Sequence, residues 1–358
     1  MDPAFPRRSC RTVKVGGIDV GGGSPVSVQS MTNTDPHDAE ATISQIRRLS
    51  AAGCDIIRLT IPDIEAAERF SAIREACPDV PLVADIHFDH RLAIAAAERG
   101  ADKIRINPGN IGGDENVKAV ADICRRRGIP IRIGVNSGSA ERSLLEKYGG
   151  PVPEALAESA MYHAGLLERF GFDDIIIAVK ASDVPTTVKA MRLVASMCDY
   201  PLHVGVTEAG SEYGGIIKSA AGIGALLSEG IGDTIRVSLT AEPEKEVRAG
   251  IELLKALGLR KGPNVVSCPT CGRTKIDLFS IVSEFERRAP IEITGWNEKD
   301  LTVAIMGCIV NGPGEASHAD IGIAGGSGKA ALFRGGQVIR TVSEDRAVDA
   351  LIDEIKRI

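Results

Sequence analysis

The stretch LVADIHFDHRLAIAAAERGADKIRINPGN (82–110) decides the fold. It passes from a strand pattern, LVADIH (82–87), through HRLAIAAAERG (90–100), whose apolar residues recur at helical spacing, into a second strand pattern, KIRIN (103–107). Strand, amphipathic helix and strand in that order make a parallel βα unit, with the helix covering one face of the sheet. The rhythm continues in both directions. Upstream lie VSVQSM (26–31) and IIRLTI (56–61); downstream lie IRIGVN (131–136), IIIAVK (175–180), LHVGVT (202–207) and TIRVSL (234–239). Helical segments such as 39–53, 114–128 and 184–197 separate them. Eight such units close into a barrel more readily than they lie open as a doubly wound sheet, so the expected class is α/β, a (β/α)8 TIM barrel.

A barrel needs about 250 residues, and the chain has 358. The remainder suits a second domain. A last helix, EPEKEVRAGIELLKALG (242–258), leads into LRKGPNVVS (259–267), and the pattern beyond it reads helix, strand, Gly/Pro loop, strands and closing helix. The expected division is a barrel over 1–258, a linker over 259–267 and a small α+β domain over 268–358. With 44% hydrophobic and 25% charged residues the composition is that of a globular protein. A formal charge of -6 argues against nucleic acid as a partner, because polyanion binding by bulk electrostatics needs a basic surface. No apolar run approaches the roughly 18 residues that span a bilayer, and MDPAFPRRSCRTVKV lacks the apolar core of a signal peptide. Neither membrane association nor export is expected, and the chain is placed in the cytoplasm.

Side chains two apart on a strand share a face. On the C-terminal halves of the strands this pairs Arg58 with Thr60, Asp85 with His87, Arg105 with Asn107, Arg132 with Asn136, Lys180 with Ser182, and Arg236 with Ser238. If those faces point inward, four arginines and a lysine converge where barrel enzymes place their chemistry. Such a gathering calls for an anion, and a diphosphate would neutralise most of the excess, with arginine forks meeting its oxygens in pairs. The alternative, cations turned outward onto helix carboxylates, weakens as the pattern repeats, because the intervening Ile, Leu and Val suit the dry layer under the helices. NPGNIGG (107–113) offers backbone N–H groups for a phosphate oxygen. Lys180 reads either as a phosphate contact or as a Schiff-base lysine. Glu208, in TEAGSEYGG, reads either as a general acid or base at the mouth or as a salt-bridge or helix-capping carboxylate.

Of eight cysteines, five stand singly in helical or strand-edge patterns. Cys268 and Cys271 form the knuckle CPTC, and Cys308 follows in GCIVNGPGEAS. Three soft ligands begin a metal site, and both tetrahedral zinc and an iron–sulfur cluster want a fourth. Glu315 is the nearest anionic candidate; His318 is the alternative that would complete a zinc site.

Taken together, VQSMTNTD (28–35), IIRLTIP, ADIHFDHRLA (84–93), KIRINPGNIG, IRIGVNSGS, VKASDV, GVTEAG, CPTCGRT and GCIVNGPGEA resemble the bacterial 4-hydroxy-3-methylbut-2-enyl diphosphate synthase family. The resemblance covers nearly the whole chain, without the extra central domain of plant and apicomplexan relatives. It implies a two-electron reductive ring opening of 2-C-methyl-D-erythritol 2,4-cyclodiphosphate with loss of water. It further implies one [4Fe-4S] cluster per chain on Cys268, Cys271, Cys308 and Glu315, with Glu315 exchangeable for a substrate oxygen. Substrate residues carried over are Arg58, Arg105, Arg132, Asn136, Lys180, Thr207, Arg236 and Ser238, with Asp85, His87 and Asn107 in support and Glu208 assisting protonation or hydroxyl loss. A one-electron donor such as flavodoxin or ferredoxin is implied as well.

Barrel topology adds an expectation about assembly. Each helix returns the chain to the face opposite the mouth, so the linker starts at the far end from its own site. A head-to-tail homodimer, one chain's cluster domain capping the other's barrel, follows. An extended linker of about ten residues reaches roughly 35 Å, so a same-chain route stays open.

Overall fold

Residues 5–138, 140–308 and 318–358 are described by the computed structural model. The chain's first element was not anticipated. TVKVGGIDV alternates apolar and polar residues on either side of Gly16–Gly17, and β1 (Thr12–Val15) pairs antiparallel with β2 (Ile18–Gly21) across that turn.

Eight parallel strands follow: β3 (Ser27–Met31), β4 (Ile56–Thr60), β5 (Leu82–Asp85), β6 (Lys103–Ile106), β7 (Ile131–Asn136), β8 (Ile175–Lys180), β9 (His203–Val204) and β10 (Thr234–Ile235). Their order is β8-β7-β6-β5-β4-β3-β10-β9, and a parallel bridge between Ile177 and Leu202 joins the two ends into a barrel. Regular pairing in β9 and β10 spans two residues each, against the six expected. The main-chain oxygen of Arg236 crowds Gly205, so close that a Cβ there would stand 2.4 Å from it, and the ladder gives way beyond Val204.

Helices α1 (Ala39–Ala51), α2 (Ile64–Ala76), α3 (His90–Glu98), α4 (Asp114–Arg127), α5 (Arg142–Tyr148), α6 (Pro153–Arg169), α7 (Val184–Met197), α8 (Glu212–Ser228) and α9 (Pro243–Ala256) alternate with the strands. Asp38, Asp63, Asp89 and Asp183 cap four of them, each side chain accepting from a first-turn N–H, a contact that contributes about 1 kcal/mol. These caps start a helix soon after its strand ends and thereby shape the loops around the mouth.

Alternation sorts the strand side chains into two populations. Ile57, Leu59, Ile104, Ile106, Ile131, Ile133 and Val135 face outward into one dry core with the helices. Ile56, Val83 and Ile176 belong to a separate cluster with Val13, Val15 and Val20 of the hairpin, which stoppers the barrel at the N-terminal ends of its strands.

The chain divides into two compact units, Met1–Arg260 and Lys261–Ile358. Arg260, closing the first, is fastened to Asp55 just before β4, with Nη1 2.8 Å from Oδ2. The second is a five-stranded sheet in the order β11 (Asn264–Ser267), β12 (Thr302–Met306), β13 (Ile321–Gly326), β14 (Lys329–Arg334), β15 (Gln337–Ser343), parallel through β13 and antiparallel beyond. β11 lies within the segment read as linker; Val265 and Val266 give it a strand's pattern and it pairs with β12. Helices α10 (Leu278–Glu292) and α11 (Ala347–Ile355) share a core with the sheet around Phe285 and Trp296, whose rings meet edge-on at 5.7 Å. Among the described residues no helix is long and apolar enough to cross a membrane.

Candidate active site

At the C-terminal ends of the barrel strands lies a cavity of about 160 Å³. The strand alternation builds it. Arg58 comes from β4, Asp85 from β5, Arg105 from β6, Arg132, Gly134 and Asn136 from β7, Ala178 and Lys180 from β8. His87, Asn107, Asn110, Thr207, Arg236 and Ser238 complete the wall from just beyond strand ends.

Five cations thus face a single carboxylate in the lining. Asp85 Oδ1 accepts from Arg105 Nη1 at 3.0 Å, its Oδ2 stands 3.7 Å from Arg58 Nε, and His87 Nε2 is 3.9 Å away. Burial alone would raise the Asp85 carboxyl, but Arg58 and Arg105 outweigh it and hold it at about 2. Burial brings the Arg58 guanidinium down to about 9, still charged at neutral pH. For Arg132 and Lys180, burial and then repulsion from neighbouring arginines push in the same downward direction. Arg236 leans toward Glu246 of α9 at 3.7 Å.

Several donors remain unspent. Arg105 Nε, Arg132 Nε and Nη2, and Arg236 Nε are buried and find no hydrogen-bond acceptor among the described residues. A buried donor without a partner costs about 1–3 kcal/mol, and more when charged. Barrel folding carries that cost here, and an anion with several oxygens would recover it. Close approach also depends on glycine: a Cβ on Gly134 would stand 2.6 Å from Arg105 Nε.

Sequence reasoning brought Arg58, Asp85, His87, Arg105, Asn107, Arg132, Asn136, Lys180, Thr207, Arg236 and Ser238 to this cavity, and the structure assembles all of them in its lining. Ser182 is a correction. Its pleat ends at Lys180, the chain turns into the Asp183 cap of α7, and Ser182 is exposed outside the lining. Glu208 also stands outside the lining, exposed beside Thr207, with φ of 52°, the one non-glycine residue of positive φ among those described. Holding a non-glycine residue there costs of order 1–3 kcal/mol and is a feature of sites where a side chain must be aimed.

Residues the sequence reading missed lie in the wall and the floor. Asn110 belongs to the NPGN loop, where no period announces it. Beneath the cavity Lys103, fully buried, donates to Gln29 Oε1 at 3.3 Å, and Lys180 Nζ is 3.2 Å from His203 Nε2. Both follow from carrying the alternation one step further down: Lys103 precedes Arg105 by two, and His203 precedes Gly205 and Thr207 on the same face.

In the second unit Cys268 follows β11 and Cys308 follows β12, its parallel neighbour. Gly307 N–H donates to Cys268 Sγ at 3.3 Å, Lys275 N–H donates to Gly307 O at 3.0 Å, and Cys271 N–H donates to Thr274 Oγ1 at 3.1 Å. The knuckle is thereby stitched to the end of β12, one residue from Cys308. Among the described residues no three His, Cys, Asp or Glu side chains are gathered as a metal-holding group, and Glu315 lies in 309–317, outside those residues. A thiolate-rich donor set with an N–H already pointed at sulfur fits an iron–sulfur centre, whose sulfurs are tuned by such bonds.

Comparison with known proteins bears on both units. Residues 10–251 match the family model described as GcpE TIM-barrel domain, and 264–357 match that of the GcpE protein C-terminal domain. A 4-hydroxy-3-methylbut-2-en-1-yl diphosphate synthase (flavodoxin) of Caldanaerobacter subterraneus subsp. tengcongensis is 55% identical, with 98% of each chain covered. Enzymes of the same name from Geobacter sulfurreducens, 55% identical over 97% of each chain, and Ruminiclostridium cellulolyticum, 54% identical over 99% of each, are similarly close.

Proposed function

The chain belongs to the GcpE family, and from that premise we propose how its residues divide the work of the reaction. The reaction is the reductive ring opening and dehydration of 2-C-methyl-D-erythritol 2,4-cyclodiphosphate to (E)-4-hydroxy-3-methylbut-2-enyl diphosphate, a step of non-mevalonate isoprenoid synthesis. It consumes two electrons and releases water. The protein is an iron–sulfur oxidoreductase served by flavodoxin.

In our reading Arg58, Arg105, Arg132, Lys180 and Arg236 bind the cyclic diphosphate, with Asn107, Asn136, Thr207 and Ser238 accepting and donating around it. The observation that carries this is the set of buried guanidinium N–H groups left without acceptors, in a cavity holding one carboxylate, among the described residues. Asp85 bridges Arg58 and Arg105, one oxygen to each, and so offsets their mutual repulsion. Glu208 acts as the acid that assists hydroxyl departure, a role supported by its place next to Thr207 of the lining and its costly backbone conformation. Cys268, Cys271, Cys308 and Glu315 would hold a [4Fe-4S] cluster, which when bound would supply electrons one at a time.

A head-to-tail homodimer in the cytoplasm completes the proposal. Its support is that Arg260, the last residue of the barrel unit, is tied to Asp55 before β4, at the end of the barrel away from the cavity. Activity recovered by mixing Cys308→Ala with Glu208→Gln chains would follow from sharing; none would follow from a same-chain site. The central test is turnover of the cyclodiphosphate by anaerobically reconstituted protein with a strong reductant, expected to yield the hydroxylated diphosphate; intact substrate would refute the reading.

A further inference from the structure

Lys180 differs from Arg58, Arg105 and Arg236 of the cavity in having an imidazole rather than a carboxylate as its partner. Its side chain turns down into the barrel, so that a Cβ on Gly205 would stand 2.9 Å from Nζ, and Nζ ends 3.2 Å from Nε2 of His203. His203 is fully buried below the cavity and does not line it.

The charged groups around this pair come from nearly every strand. Arg58 on β4, Lys103 and Arg105 on β6, Arg132 on β7 and Arg236 after β10 are all cations. Asp85 on β5 is committed to Arg58 and Arg105, with His87 beside it, and Glu246 of α9 lies toward Arg236. On β3, Gln29 accepts from Lys103. Burial first, then Lys180, Arg132 and Lys103, keep the imidazole uncharged. Neutral histidine has one N–H and one lone pair, and an ammonium has only donors. With Lys180 as an ammonium, the lone pair faces it at Nε2 and the proton resides on Nδ1, which is buried with no acceptor among the described residues.

We propose that His203 is the positioning residue for Lys180 in diphosphate binding: its Nε2 takes one ammonium N–H and so fixes the direction of the remaining two toward the cavity. Without that acceptor Nζ has no fixed place among its like-charged neighbours, and the diphosphate must restrain it on binding. This inference rests on reading the cavity as the diphosphate site.

The experiment is calorimetric titration of the full-length, anaerobically reconstituted protein with inorganic pyrophosphate. His203→Phe is expected to weaken binding about tenfold, and His203→Gln, whose amide oxygen reaches the place of Nε2, by no more than about threefold. In a Lys180→Met background His203→Phe should change affinity less than about twofold, since it acts through Lys180. Equal weakening in both backgrounds, or a glutamine variant as impaired as phenylalanine, overturns the proposal. Should His203→Phe not fold, 15N spectra of the wild-type imidazole decide it: a neutral, Nδ1-protonated ring upholds the proposal, and an imidazolium or Nε2-protonated ring defeats it. Wild-type protein that binds no pyrophosphate would instead sink the underlying site reading.

Discussion

In the barrel unit Arg105 and Arg132 stand on adjacent strands as direct partners in the ladder, whereas in the second unit Cys268, Cys271 and Cys308 all stand just past strand ends. The arginines inherit their spacing from backbone hydrogen bonds that exist whether or not an anion is bound. The thiols owe theirs to a few N–H contacts at the knuckle and, on the proposed reading and by the logic of metal–protein linkage, to the cluster they would hold. The cavity is made by folding, and the proposed cluster site would be finished by its ligand. The separation lets each be attacked alone.

The strongest attack is on the second. Cys308→Ala should abolish turnover while leaving pyrophosphate affinity within about threefold of wild type by calorimetry. A barrel that stopped binding would show that the two sites are not independent.

Arg132→Met removes a buried guanidinium with two unspent nitrogens. Hydrogen bonds to charged groups contribute about 1.5–3 kcal/mol each, so pyrophosphate affinity should fall roughly 100-fold with the cluster's visible absorbance unchanged. Asp85→Asn tests the scaffold itself. Removing one member of a buried ion pair costs about 3 kcal/mol or more, readable as a lower urea midpoint. The pH dependence has a definite sign: Asp85 is held at about 2 against 3.8 when free, so its contribution is whole above the free value and is lost as pH falls through about 2. The asparagine variant should lack that limb. Gly134→Ala drives a methyl against Arg105 and should raise KM about tenfold with a smaller change in kcat.

The smallest effect belongs to the rim. His37 joins the loop after β3 to the loop after β4 through Asp35 and Asp63, at 2.8 and 2.9 Å. Its hydrogen bonds to Asp63 and Asp35 raise its pKa above the ordinary 6.5. The clamp's contribution is thus complete below 6.5 and lost as pH rises through the elevated value. Wild type and His37→Ala should differ slightly in thermal midpoint at pH 6 and not at pH 9; a gap at pH 9 would contradict this.

Legibility in the sequence followed the same divide. Period-2 alternation in KIRIN and IRIGVN pointed Arg105, Asn107, Arg132 and Asn136 into one cavity because a strand's geometry is local and regular. The rule failed at Ser182, where the pleat had already ended, and it was stopped too early at Lys103 and His203. The strands β9 and β10 looked longer than they are, since close contact between Gly205 and Arg236 is a tertiary fact with no local signature. The hairpin was visible in TVKVGGIDV and passed over because it lies before the first βα unit. Asn110 had no period to betray it.

That hairpin turns the barrel from a tube into a cup. Val13, Val15 and Val20 pack against Ile56, Val83 and Ile176 across the base. On the proposed reading of the cavity, substrate, the water released from it and the finished diphosphate share the opening at the C-terminal ends of the strands. Whatever covers that doorway during reduction therefore also sets when the water departs, so dehydration and product escape are tied to a single opening event.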